Sequence, residues 1–140
     1  MGLLTVAIVL TVASNVLYHI AQKSIPGGAH PLTSLIVTYL AALLVTLLLW
    51  PLYPGGGPTW RSFSTLNWAS LAVGVAIVGV EMGVLLAYRA GWRVGVLSTV
   101  VNVALVVVLL PIGLLFFGEH FSMANAAGLV LCVAGLWLLI

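Results

Sequence analysis

From Trp68 to Ala87 the chain runs for 20 residues with a single charge, Glu81. A run of that length crosses a bilayer as a helix, and a helix satisfies its own backbone hydrogen bonds where no water can. Runs of the same kind recur along all 140 residues, of which 64% are hydrophobic and 4% charged. The mean hydropathy is +1.32. A soluble domain of this size could not solvate such a surface. The sequence therefore reads as all-α and polytopic, one membrane-embedded domain over residues 1–140 with the bilayer as its first partner.

Breaks between the runs predict a bundle of five transmembrane helices, over about 3–22, 32–52, 66–88, 95–117 and 121–140. Lys23 and Pro26-Gly27-Gly28 close the first. Pro51, Pro54, Gly55-Gly56-Gly57 and Pro58 close the second, because proline cannot continue a helix. Arg89-Ala90-Gly91-Trp92-Arg93 closes the third, and Gly118-Glu119-His120 separates the fourth from the fifth. Trp50, Tyr53, Trp60 and Trp68 would then mark one membrane interface, and Tyr18, Tyr88, Trp92 and Trp137 the other. Lys23, Arg89 and Arg93 fall on one side and Arg61 on the other, a bias that favours the N-terminus out and the C-terminus in. No basic n-region precedes the first run, so no cleavable signal peptide is expected. The formal charge of +2 is too small to suggest nucleic-acid binding.

Glu81 lies about three residues, or about 5 Å of helix rise, from the centre of its run. A charge near that depth costs roughly 2.5–3.5 kcal/mol on insertion scales, and acids so placed line water paths, relay protons or contact ligands. The competing reading is a buried ion pair. Arg89 is the nearest base in sequence, but eight positions is about 12 Å of rise, too far for a local pair. Seven residues inward from the Arg89 side, the first four runs place Asn15, Tyr39, Glu81 and Asn102 at one level. Tyr18 and His19 flank Asn15, Thr38 precedes Tyr39, and Ser98 and Thr99 precede Asn102 by about a turn. The expectation is a substrate- and proton-binding layer of Glu81, Asn15, Asn102, Tyr39, Tyr18 and His19. Against it, Asn, Ser and Thr in membrane helices often just bond a neighbouring helix, at about 0.6 kcal/mol. His19 near an interface, and Tyr39, each have a purely structural reading.

Small residues form two stripes, Gly79 with Gly83, and Ala124, Gly128, Cys132 and Gly135. Such stripes let helix backbones approach closely in lipid. The second predicts a homodimer contact. For Gly79 and Gly83, packing within the chain is the equal alternative.

Phe116-Phe117-Gly118-Glu119-His120, followed by Gly128 through Gly135, resembles the end of small multidrug resistance transporters and of EamA-like modules, both of the drug/metabolite transporter superfamily. Asn15 through Lys23 resembles the first helix of the former. About 60 residues carry the resemblance. It implies a five-helix module, such as EamA proteins carry in tandem inverted repeat. It also implies an antiparallel homodimer, as in the small multidrug resistance proteins, in a bacterial or archaeal cell membrane. In those proteins the first helix carries an essential Glu. Counted from Lys23, that position is Asn15 here, and the carboxylate stands instead at Glu81.

The function expected is transport of a small molecule, metabolite or drug-like, with proton coupling through Glu81. Translocation of a lipid-linked substrate and a non-transporting accessory subunit stay open beside it. His19, His30 and His120 with Glu81 match no metal-ligand spacing, so no metal, cofactor or enzymatic activity is expected.

Overall fold

The computed structural model describes residues 2–53, 60–118, 120 and 122–140, and all regular structure among them is helical. Helix α1 is Gly2–Ser24 and α2 is Pro31–Leu49, extended by one 3-10 turn, Trp50–Leu52. A five-residue helix, α3, covers Trp60–Ser64. The remaining helices are α4, Trp68–Arg89, α5, Val94–Phe116, and α6, Met123–Leu139. The expected breaks at 54–58 and at Glu119 lie outside the described residues.

Each end has a local cause. Pro31 opens α2, where its missing N–H costs nothing. Pro51 sits in the 3-10 turn that closes it. Gly91 at φ 95° and Gly118 at φ 63° take the left-handed conformation just past α4 and α5, which a side chain would resist. Ser122 caps α6, its hydroxyl accepting from the Asn125 N–H at 3.2 Å.

Four helices are long and apolar enough to cross a membrane: α1, α2 with its 3-10 turn, α4 and α5. The fifth expected span is shorter than the rest. The Ser122 cap delays its start to Met123, and its 17 residues rise about 25 Å, against about 30 Å of hydrocarbon core.

The chain divides into two compact units, one of Met1–Ile20 and Ala90–Ile140, the other of Ala21–Arg89. In the first, α5 packs on α6. In the second, α2 packs on α4, and this seam holds most of the buried apolar side chains: Leu35, Val84, Leu85 and Tyr88. Val84, Leu85 and Tyr88 follow Glu81 at three, four and seven positions, one face of a helix.

Tyr88 departs from the aromatic belt expected of it. It is 5% exposed, because the buried face of α4 runs on into its last turn. Lys23 lies over the ring at 5.3 Å from its centroid and reaches the Tyr88 carbonyl oxygen at 3.4 Å. Among the described residues, a Cβ at Gly79, Gly83, Gly128 or Gly135 would meet nothing within 4 Å.

The exposed surface is apolar in both units: Leu48, Leu71, Leu131 and Leu138 are each more than 70% exposed. Water does not tolerate an apolar surface of this extent. With four helices of spanning length, it makes the chain a multi-pass membrane protein.

Candidate functional site

One hydrogen bond and one electrostatic interaction relate α2 to α4. Arg89 donates from Nη2 to the carbonyl oxygen of Ala29, just before α2, at 2.6 Å. Ten residues further on, Tyr39 lies within electrostatic reach of Glu81, eight residues before Arg89. The helices are therefore antiparallel, fastened from the Arg89 end up to the level of Glu81. Beyond that level they part. Every residue from 40 to 49 and from 71 to 80 is exposed, so Tyr39 and Glu81 stand at the base of an open, apolar V.

Each group carries a buried oxygen that the described residues leave unsatisfied. Oε2 of Glu81 and the hydroxyl oxygen of Tyr39 are buried and have no hydrogen-bond partner among the described residues. A buried polar atom without a partner is destabilising by about 1–3 kcal/mol, more if charged. Arg89 does not relieve Glu81, since its guanidinium is committed to Ala29. A carboxylate and a phenol at one level can accept hydrogen bonds from a ligand, donate one from the phenol, and present an aromatic face.

The other expected site residues lie in the first unit. Asn15 is exposed, and its Nδ2 donates to Thr11 O of its own helix at 3.3 Å. Tyr18 and His19 are half-buried and meet edge to face, with ring centroids 5.2 Å apart. Asn102 is exposed and lines a groove of about 650 Å³ along α5 and α6. Val103, Val106 and Leu129 share that wall, with His120, Asn125 and Cys132 as its other polar or sulfur groups. Thr99 and Ser98 spend their hydroxyls on Gly95 O of their own helix, at 2.7 and 3.1 Å. Of the expected dimer residues, Ala124, Cys132 and Gly135 are exposed and Gly128 is half-buried. Of the expected layer, then, the second unit unites Tyr39 with Glu81.

Sequence reasoning missed two sets. Asn125 and His120 join Asn102 in the groove of the first unit, though both stood outside the seven-residue count. The Arg89–Ala29 bond was also missed. Its signal was present as a Pro-Gly-Gly turn followed closely by a helix start, with an arginine ending another helix.

No protein-family profile, curated protein or solved structure matches the chain.

Proposed function

We propose that this chain moves a small molecule across a bacterial or archaeal cell membrane, as a five-helix module of the drug/metabolite transporter type working as an inverted homodimer. In this reading α6 is the fifth span, and Glu81 is the ionisable group that binds substrate or proton. One observation carries the proposal: Oε2 of Glu81 is buried without a hydrogen-bond partner among the described residues, at the base of the V between α2 and α4. No described residue is bonded to that oxygen, and its burial is unfavourable. A group retained at such a cost is best explained by what it binds.

A specific observation favours a second reading, translocation of a lipid-linked substrate. The V is apolar over residues 40–49 and 71–80 and wide enough to leave both faces exposed, which suits an acyl or polyprenyl chain beside a polar head at Glu81.

The test is a thermal-shift ligand screen on the purified chain, repeated with Glu81→Gln, followed by transport in liposomes containing this chain alone. Ligands that stabilise the wild type and not the variant, and that cross the liposome membrane, support transport. Binding that needs a lipid tail supports the second reading. Liposomes inert to every bound ligand point to an accessory subunit.

A further inference from the structure

The end of the second unit opposite the V carries a different chemistry. Its fixed point is Arg89. The Nη2 bond to Ala29 O at 2.6 Å pins the guanidinium against the 25–30 turn. Nε is buried and has no partner among the described residues. One carbonyl is thus all that the described residues offer a group with five N–H donors. Among the described residues no carboxylate pairs with it, and Glu81 lies about 12 Å of helix rise away.

The turn adds donors at the same place. The Ala29 N–H closes it onto Pro26 O at 3.0 Å, while the N–H groups of Gly27 and Gly28 make no hydrogen bond among the described residues. Both glycines are exposed, and a Cβ on either would meet nothing within 4 Å. A ligand can therefore approach their backbone closely. Two residues on, α2 begins at Pro31 with no side-chain cap, its dipole adding positive potential. Lys23, held to Tyr88 beside Arg89, brings a second positive charge.

An oriented guanidinium, open glycine N–H groups and an uncapped helix start all favour an oxyanion with several acceptor atoms. The turn joins two helices of membrane-spanning length, α1 and α2, which sets it at the depth of lipid headgroups. We propose that Arg89, Gly27, Gly28 and Lys23 form a binding site for the phosphate of an anionic phospholipid. The site is independent of Glu81 and of the transport reading.

The full-length protein, purified in phosphatidylcholine-containing micelles, is offered phosphatidylglycerol, and retained lipid is counted by native mass spectrometry. Wild type should prefer phosphatidylglycerol over phosphatidylcholine by roughly tenfold, the scale of one strong charge-assisted contact. Arg89→Gln should bring the preference close to parity. So should Gly27→Leu with Gly28→Leu, which leaves every charge in place and obstructs the approach. Because a Cβ at either glycine would meet nothing within 4 Å, the double variant should keep the helicity and elution of wild type, and it decides the matter if Arg89→Gln misfolds. Arg61→Gln should retain the preference. An unchanged preference in the folded glycine variant, or an equal loss in Arg61→Gln, overturns the site. Displacement of phosphatidylglycerol by inorganic phosphate at equal concentration overturns the lipid assignment in favour of a soluble phosphate ligand.

Discussion

Arg89 turns away from Glu81 and donates to the carbonyl oxygen of Ala29 at 2.6 Å. The guanidinium fastens the turn to the end of α4, and the carboxylate eight positions earlier is left without a hydrogen-bond partner for Oε2 among the described residues. Removing the charge at position 81 should therefore leave the fold intact, whereas a structural ion pair would collapse when broken.

Glu81→Gln should match or exceed the thermal stability of wild type in detergent. It should also abolish any change in ligand binding from about pH 5 to pH 9, since the amide does not titrate in that range. Tyr39→Phe should fold equally well and weaken ligand binding by roughly three- to tenfold, the loss of one hydrogen bond. A marked loss of stability in Glu81→Gln, with binding unchanged across pH, would make the carboxylate structural.

Leu85 is 2% exposed and Leu86 is 50% exposed, one residue apart on α4. Leu85→Ala opens a cavity in the seam with α2 and should destabilise on the order of 2 kcal/mol. Leu86→Ala faces the surroundings and should stay within about 0.5 kcal/mol. Thermal or denaturant unfolding of the two variants in one detergent measures the difference, and equal effects would mean that this seam is not the packed core.

How much of this was legible in sequence follows from which forces act locally. The helices could be read because hydropathy and Pro/Gly breaks are properties of consecutive residues, and α1, α2, α4 and α5 begin and end within about three residues of expectation. The start of α6 falls two residues after the expected one, within the same margin, because Ser122 acts as a cap through its hydroxyl and the apolar run alone does not reveal it. Glu81 was legible because a charge in an apolar run is conspicuous. Depth counting found Tyr39 as its companion, but depth says nothing about azimuth. Asn15 is exposed and bonds its own helix instead. Tyr88 likewise turns inward rather than outward, being 5% exposed.

Ser122→Ala removes the cap of α6 and should cost about 1 kcal/mol in local stability. Amide exchange at Asn125, whose N–H the hydroxyl accepts at 3.2 Å, should quicken about fivefold, with exchange in the middle of α4 unchanged. Unaltered exchange at Asn125 would remove the cap from the account of why α6 starts where it does.

If α6 crosses the membrane, the chain has five spans and its ends lie on opposite sides. Reporter fusions at the two ends should give opposite readings in a given orientation. In an inverted dimer, Ser64→Cys in a Cys132→Ser background should be labelled partly from each side. Mild oxidation of the native chain should give a Cys132-dependent dimer band. Complete labelling from one side refutes dual insertion, and both reporters on one side in every molecule refutes five spans.

The one-ended seam between α2 and α4 has a mechanical corollary. Leu35, Val84, Leu85 and Tyr88 clamp the pair at the Ala29 end, and the ten exposed residues beyond Tyr39 and Glu81 on each helix are arms of about 15 Å. A pivot of about 10° at the clamp carries each tip through about 3 Å, with little compression at the fulcrum itself. A contact made or broken at Glu81 would act at the short end of that lever, so that a small displacement there would emerge magnified at the far tips of the two helices.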